Sequence, residues 1–357
     1  MRRKFKIVAA SAVIATVAWI PAHTSAHGGG HGKPGGDVSG LNGPLFGITS
    51  TRSGDLLAAD ASTGVLKIHR GRVSVKASIP GATDVSEAKN GDLWVTTGAG
   101  ESPEADTGQG LWRVSHGRAK KVINLFEFEA DNNPHPEGVP DSNPFDVQAL
   151  KHDSALVVDA GGNDLLKVDK KGRVKVLATF PTRLASTANI KSLFGCPAGP
   201  PDICGLPDQI PAQATPTSVA IGPDGYYYVG ELRGFPGPTN ESSIWRVAPW
   251  ANAAECGVSP QCVKVFDGGF TSIIDLAFGR DGKLYVAELD EASWAAVEIT
   301  QTPTGGTINA CRIRSGTCRE VETDIPVLTS IAFGKHGSLW ATRNALTPGG
   351  AEIFRVR

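Results

Sequence analysis

The sequence lacks the short motifs that usually disclose a chemical activity. It contains no Gly-x-Ser-x-Gly, no His-Glu-x-x-His and no phosphate-binding loop, so these signatures of serine hydrolases, zinc proteases and nucleotide-binding enzymes are missing. A formal net charge of −1 without a basic cluster argues against nucleic acid as a partner. Beyond residue 20 no stretch is long and apolar enough to form a membrane-spanning helix. Helix-period patterning is almost absent, and no linker divides the chain.

The first 26 residues have the features of a secretory signal peptide. MRRKFK carries four positive charges, residues 7–20 carry none, and small residues precede the expected cleavage after Ala26. We therefore expect a bacterial protein that is secreted or otherwise extracytoplasmic. Arg2 and Arg3 leave twin-arginine export open beside the ordinary Sec route. Residues 27–36, HGGGHGKPGG, predict a flexible tail, and residues 37–357 a single domain.

Six cysteines support the exported setting. They form close pairs with seven, five and six intervening residues, whereas thioredoxin-type and zinc sites favour two. We expect three local disulfides, each contributing about 2–3 kcal/mol in the chain-entropy model. The predicted bonds are Cys196–Cys204, Cys256–Cys262 and Cys311–Cys318.

A sixfold internal repeat gives the fold. Each copy predicts a strand, a tight polar turn that contains Gly in five copies, and a second strand rich in Leu, Val, Tyr and Trp. The second residue of each copy and its last are thirteen positions apart in all six. The copies are residues 46–60, 83–97, 145–159, 217–231, 274–288 and 329–343.

A third strand follows each hairpin, and a fourth usually comes next, as in VKVLATF after DLLKVDK. Six units of four antiparallel strands predict an all-β, six-bladed β-propeller. The last copy ends at its third strand, which would leave an open edge. We expect residues 37–41, DVSGL, to supply the missing outer strand and close the ring.

The long insertions are confined to one face of this propeller. Connections alternate between two faces, and the second-to-third-strand and inter-blade connections share a face. That face receives residues 98–109, 127–142, 181–215, 232–242 and 289–306. Because long loops are tolerated anywhere, their confinement favours a functional surface, although inter-blade loops also simply vary more.

Two columns of the aligned hairpins are rich in carboxylates and are expected near the same face, close to the axis. They are Gly47, Asp84, Asp146, Ser218, Asp275 and Ser330 where the first strands begin, and Asp60, Thr97, Asp159, Glu231, Glu288 and Arg343 where the second strands end. The predicted ligand-binding set is Asp60, Asp84, Asn143, Asp146, Asp159, Asn163, Glu231, Asp275, Glu288 and Arg343. Clustered like charges raise one another's pKa or recruit a cation. Ca²⁺ held by Asp146, Asp159, Glu231, Asp275 and Glu288 is one interpretation. A polar pocket without metal and simple capping of backbone N–H groups are the others.

Residues 143–181, 216–236 and 270–289 resemble the ScyD/ScyE family of exported propellers, which belongs among the NHL-like and TolB-like six-bladed propellers. The resemblance covers most of residues 40–357 and is weaker in the first two units and in the cysteine loops. It implies export, bacterial origin and a propeller, and it implies no reaction.

The sequence leaves two functions open. The first is a non-catalytic binding or scaffolding module, a monomer, that takes a small molecule or a protein on the axial loop face. The alternative is a lactonase- or esterase-like hydrolase that uses Ca²⁺ or Zn²⁺ held by axial carboxylates. A quinone-dependent sugar dehydrogenase is less well supported, because no His-Arg constellation is present for that cofactor.

Overall fold

The structure is a computed structural model that describes residues 37–100, 102–135 and 140–356. The predicted signal peptide (1–26) and tail (27–36) lie outside these residues. Within them the backbone forms 27 strands and four short helices. The helices are α1 (Leu125–Asn132), α2 (Ala188–Leu193), α3 (Pro201–Cys204) and α4 (Trp294–Glu298).

The strands follow one another at short intervals along the chain. Those of the first half are β1 (Val38–Leu41), β2 (Leu45–Ser50), β3 (Leu56–Asp60), β4 (Gly64–His69), β5 (Arg72–Ser78), β6 (Ala82–Glu87), β7 (Leu93–Thr97), β8 (Gly110–Ser115), β9 (Arg118–Asn124), β10 (Pro144–Ala149), β11 (Ser154–Asp159), β12 (Asp164–Asp169) and β13 (Val174–Thr179). Those of the second half are β14 (Arg183–Ser186), β15 (Gln209–Ala212), β16 (Pro216–Ile221), β17 (Tyr227–Glu231), β18 (Ser242–Val247), β19 (Ala254–Glu255), β20 (Cys262–Phe270), β21 (Ile273–Phe278), β22 (Leu284–Glu288), β23 (Gly306–Arg312), β24 (Thr317–Ile325), β25 (Ile331–Phe333), β26 (Leu339–Arg343) and β27 (Ala351–Arg355).

Six sheets, each with four antiparallel strands, form the blades of a propeller, which confirms the predicted fold. Blade 1 is β2–β5, blade 2 is β6–β9, and blade 3 is β10–β13 with β19 added in parallel at its outer edge. Blade 4 is β16, β17, β18 and β20, blade 5 is β21–β24, and blade 6 is β25–β27 with β1.

The ring is closed by the N-terminal strand, as predicted. β1 pairs antiparallel with β27, with Val38 opposite Ile353 and Leu41 opposite Ala351. Val38 and Leu41 are each 5 % exposed and pack in one apolar cluster with Ile353. The start and the end of the described chain are therefore joined in one blade.

The inner hairpins share a feature that the sequence alignment did not predict. In five blades the pairing of the first two strands shifts at the same place, which marks a β-bulge. The shifts lie between Leu45 and Gly47, Ala82 and Asp84, Pro144 and Asp146, Pro216 and Ser218, and Ile273 and Asp275. A bulge inserts one residue and re-aims the side chains beside it. It therefore changes the direction of the first predicted carboxylate column.

The long insertions fall between the predicted strands, and described residues from three of them pack onto the ring. Ile190, Leu232 and Trp294, from three different insertions, share one buried apolar cluster with Phe145 and Ile274 of the inner strands. The three predicted disulfides are present, and no cysteine of the described chain is free. No helix among the described residues is long and apolar enough to cross a membrane.

Candidate functional site

An apolar plug closes the propeller axis at the end that carries the long insertions. Phe46 of blade 1 and Phe145 of blade 3 contact each other edge-to-face with ring centroids 5.8 Å apart, although blade 2 separates them in the ring. They meet because both side chains point to the axis. Phe145 and Ile274 are 3 % and 1 % exposed and belong to the cluster that the insertions cover. We call Phe46, Phe145 and Ile274 the apolar plug.

The plug alternates around the ring with threonines at the same position of the aligned hairpins. Each threonine donates its hydroxyl to a backbone carbonyl of the next blade and so fixes neighbouring inner strands to one another. The bonds are Thr83 to Pro144 O at 2.8 Å, Thr217 to Ile273 O at 2.6 Å and Thr329 to Leu45 O at 2.6 Å. The alternation is visible in the sequence as the first letters of the six aligned hairpins, F, T, F, T, I and T. Sequence reasoning missed this signal.

The inner strands enclose a central channel of about 280 Å³ that extends from the plug towards the tight turns. Ser50, Phe278 and Phe333, at the ends of the first strands of their blades, line its far end. Exposure rises in that direction, from 1 % at Ile274 to 37 % at Ile221. Among the described residues that line the channel, none comes from the long insertions. The channel therefore opens on the face opposite to the insertions.

Three carboxyl groups face this channel, one each from blades 2, 3 and 5: Asp84, Asp146 and Asp275. The described lining contains no Lys, Arg or His. Each carboxyl also accepts a backbone N–H from the next blade, so the acids connect the inner strands as well as line the cavity. These bonds are Asp84 Oδ2 from Val147 N at 3.1 Å, Asp146 Oδ2 from Val219 N at 2.5 Å and Asp275 Oδ2 from Ile331 N at 2.8 Å.

Ser330 takes the equivalent place in blade 6. Its Oγ accepts the backbone N–H of Ile48 at 3.0 Å and donates to Asp275 at 2.6 Å. Ser218 of blade 4 is fully buried, and its Oγ has no partner in the described part of the chain. Bonds from this column therefore bridge four of the six blade junctions, namely 2–3, 3–4, 5–6 and 6–1. Among the described residues the column is interrupted between blades 4 and 5, where Ser218 has no partner, and between blades 1 and 2, where its member is Gly47.

Gly47, the member of this column in blade 1, is required by the close approach of Asp84. A Cβ at residue 47 would lie 2.0 Å from Asp84 Oδ1 and 2.9 Å from Asp84 Cα. Any side chain here would displace the carboxyl group. Glycine therefore allows Asp84 to lean over blade 1 while its other oxygen bonds to blade 3.

Burial raises the pKa of all three channel carboxyls. Desolvation, and then the charge of Asp146, raise the pKa of Asp275 to about 8. The same two causes hold the pKa of Asp84 well above its usual range. Desolvation also raises the pKa of Asp146, and its hydrogen bond with Asp84 opposes that rise. Since Asp275 is largely protonated at neutral pH, a cation entering the channel would favour its charged form.

The second predicted column lies at the blade margins and not in the channel. Asp60 and Asp159 are fully buried and cap the turns that follow β3 and β11. Asp159 accepts hydrogen bonds from Ser142 Oγ and from the N–H groups of Asn143, Gly161 and Gly162, at 2.6–3.1 Å. Asp60 accepts equivalent bonds from the N–H groups of Gly43, Ser62 and Thr63, at 2.9–3.0 Å.

Glu231 and Glu288 also bind groups of their own surroundings. Glu231 is fully buried, forms an ion pair with Arg183 and accepts the indole N–H of Trp245 at 2.8 Å. Glu288 accepts a side-chain N–H of Asn309 at 2.7 Å, and desolvation raises the pKa of Glu288 to about 8.

The remaining predicted residues are engaged in structural contacts as well. Asn143 and Asn163 each use their amide oxygen to accept a backbone N–H, and Arg343 pairs with a glutamate of the neighbouring strand. The bonds are Ala99 N to Asn143 Oδ1 at 2.9 Å, Thr215 N to Asn163 Oδ1 at 2.8 Å and Arg343 Nε to Glu352 Oε2 at 2.7 Å.

The five carboxylates predicted to bind Ca²⁺ are divided between two places. Asp146 and Asp275 face the channel, whereas Asp159, Glu231 and Glu288 accept internal hydrogen bonds at the blade margins. Within the described ranges, no group of three or more His, Cys, Asp or Glu is arranged to hold a metal ion. These five residues therefore do not fit one shared calcium site.

Comparison with known proteins adds the fold and nothing about chemistry. No protein-family model and no curated protein matches the sequence. A streptogramin B lyase is 13 % identical with a TM-score of 0.50 and covers 90 % of this chain and 97 % of its own. A gluconolactonase from Xanthomonas campestris is 11 % identical with a TM-score of 0.54, over 90 % and 89 % of the two chains. An aldose sugar dehydrogenase from Escherichia coli is 11 % identical with a TM-score of 0.53, over 90 % and 97 %. The chain therefore shares the six-bladed propeller fold of these proteins, while membership of the ScyD/ScyE family stays a prediction.

Proposed function

We propose that this chain is an exported, non-catalytic binding module whose ligand is a small cation held in the central channel. The observation that carries the proposal is the set of three carboxyls, Asp84, Asp146 and Asp275, facing a cavity whose described lining has no basic residue. The three disulfides support an oxidising compartment, in agreement with the predicted signal peptide.

The electrostatics of the channel favour a cation over an anion or a neutral ligand. Three acids close to one another and shielded from bulk water resist ionisation, and a positive charge among them relieves that repulsion. A volume of about 280 Å³ is slightly below the usual range for drug-sized ligands, which runs from roughly 300 to 1,000 Å³. A small organic ammonium ion fits this size.

The geometry favours entry from the tight-turn face. The sequence alone suggested the face with the long insertions, but the apolar plug and the insertions packed on it separate that face from the carboxyls. Exposed Ile221 and the half-buried Phe278 and Phe333 surround the opposite mouth. The rings of Phe278 and Phe333 suit an organic ammonium ion, because aromatic faces attract cations.

A metal-dependent hydrolase receives less support from the same site. That reaction needs several protein ligands around one metal with an open position for water. The predicted ligands are divided between channel and blade margins, and those at the margins already accept internal hydrogen bonds.

The test is calorimetric titration of the purified protein with Na⁺, Ca²⁺, ammonium, choline and a polyamine, beside neutral sugars of similar size. We expect binding by at least one cation and none by the sugars. Because Asp275 has a pKa near 8, binding at neutral pH should also release protons, so the measured heat should vary with the ionisation enthalpy of the buffer.

Asp146→Asn and Asp275→Asn should each weaken binding at least tenfold. Asp281→Asn is the matched control, because it removes the same charge from the exposed tight turn of blade 5, where Asp281 pairs with Lys283. Equal affinity in Asp275→Asn and Asp281→Asn, or no heat with any cation at millimolar concentration, would refute the proposal.

A further inference from the structure

A second acidic site lies outside the channel, where α1 meets blade 3. Glu129 of α1 is 1 % exposed, and Asp164, the first residue of β12, is fully buried. Their carboxyl groups lie within hydrogen-bonding reach of each other. Glu129 belongs to the insertion between blades 2 and 3, so the Glu129–Asp164 pair joins an insertion to a blade.

The oxygens of this pair lack the partners that buried carboxyls normally have. Within the described chain, Glu129 Oε1 and both carboxyl oxygens of Asp164 have no hydrogen-bond donor. No Lys or Arg of the described chain forms an ion pair with either residue. Neighbouring Asp159 shows the contrast, because four donors satisfy its two oxygens. Three orphaned oxygens at one point require a compensating group.

The surrounding charges are negative as well. Desolvation, followed by the charges of Asp164, Asp159 and Asp141, raises the pKa of Glu129 to about 11. Desolvation and then the charge of Asp159 hold the pKa of Asp164 well above its usual range. Four carboxyl groups therefore share one electrostatic neighbourhood.

The backbone of blade 3 is shaped around the pair. A Cβ at Gly162 would lie 3.0–3.2 Å from the carboxyl atoms of Glu129, so the glycine leaves room for that group. Asp159 fixes the same turn by accepting the N–H groups of Gly161 and Gly162. The turn beside the pair is thus shaped by residues that do not donate hydrogen bonds to the three unpartnered oxygens.

We propose that Glu129 and Asp164 bind a divalent cation of the Ca²⁺ type, which fastens α1 to the turn between β11 and β12. A single shared proton would link two oxygens and leave the third buried without a partner. One divalent cation neutralises both carboxylates and contacts all three oxygens. Two carboxylates can supply up to four of the six to eight oxygen ligands that Ca²⁺ takes, and an all-oxygen set favours Ca²⁺ over softer metals.

The experiment compares thermal unfolding of chelator-treated protein with and without 1 mM Ca²⁺. If this Ca²⁺ concentration is well above the dissociation constant of the site, it should raise the melting temperature of the wild type by roughly 3–6 °C. Glu129→Gln and Asp164→Asn should each abolish this shift. Glu127→Gln is the matched control, because Glu127 is exposed on the same helix and should retain the full shift.

Asp275→Asn separates this site from the channel. It should retain the Ca²⁺ shift, so that the outcome here is independent of the function proposed above. If neither Glu129→Gln nor Asp164→Asn folds, the test is equilibrium dialysis of Asp275→Asn with ⁴⁵Ca²⁺. One bound ion per chain would support the site, and no bound ion would overturn it.

Two results would overturn the proposal. One is an equal Ca²⁺ shift in wild type and Glu129→Gln. The other is a wild type whose melting temperature does not change with Ca²⁺ but rises as pH falls, while Glu129→Gln lacks that rise. This result would mean that the pair shares a proton instead of a metal ion.

Discussion

Asp275→Asn should remove a specific part of the pH dependence of stability. The pKa of Asp275 is raised from 3.8 to about 8 in the folded chain, first by desolvation and then by the charge of Asp146. Between these two values the folded carboxyl keeps its proton while the unfolded one has lost it. The folded state therefore binds more protons, and stability must fall as pH rises through this window.

The magnitude follows from the same linkage. One proton taken up on folding changes the free energy of unfolding by about 1.4 kcal/mol per pH unit. Between pH 7 and pH 5 the wild type should gain about 2–3 kcal/mol that Asp275→Asn does not gain. The amide oxygen can still accept the bonds from Ser330 and Ile331, so the variant should fold.

The assay is urea unfolding of wild type and Asp275→Asn at pH 5, 6 and 7. It gives the free energy of unfolding of each protein at each pH, and the test is how the difference between the two proteins changes with pH. Asp281→Asn serves as control, because Asp281 is exposed and its pKa is lowered, so its removal should leave the slope between pH 5 and 7 unchanged. Parallel stability profiles for wild type and Asp275→Asn would show that Asp275 ionises normally, and the reasoning on the channel would fail.

Two further substitutions test the architecture around the channel. Leu41→Ala should lower the free energy of unfolding by about 2–5 kcal/mol in chemical denaturation, because Leu41 is buried in the strand that closes the ring. Exposed Ser39→Ala should change it little, and equal effects would argue against closure by β1. Gly47→Ala should cost about 1–3 kcal/mol and weaken cation binding in calorimetry, because its Cβ would collide with Asp84. Unchanged stability and binding would show that Asp84 does not lean on blade 1.

The fold could be predicted because its determinants are local and repeated. Each hairpin has the same length, and its turn needs a positive φ that Gly supplies in five blades. Blade 3 lacks the glycine, and His152 and Asp153 adopt φ values of 63° and 51° in its place. Since the turn geometry is kept with different residues, spacing was the stronger signal. Closure by β1 followed from the missing fourth strand of blade 6.

The candidate site could be predicted only in part, because its geometry depends on the β-bulges. Asp60 lies opposite Leu45 and Asp159 opposite Pro144, in pairs that precede the bulge. Asp146 follows the bulge and turns to the channel, whereas Asp159 stays at the blade margin. Aligned sequences do not reveal an extra residue that five of the six copies share at the same place, so the sequence predicts both columns at one surface. The sequence contains only a weak indication of the Glu129–Asp164 pair. Asp164 opens the third strand of blade 3, at the position where the third strands of blades 1 and 2 have glycine.

In the proposed function the channel carboxyls have two tasks that draw on the same atoms, and this would link ligand binding to the ring itself. Asp146 and Asp275 accept N–H groups of the next blade, and such bonds are stronger when the acceptor is ionised. A cation that lowers their pKa therefore strengthens the contacts between blades at the moment it binds. Ligand and ring closure then stabilise each other, because both favour the ionised carboxylates. A propeller that carries its acids on the innermost strands gains this coupling without any movement of its blades.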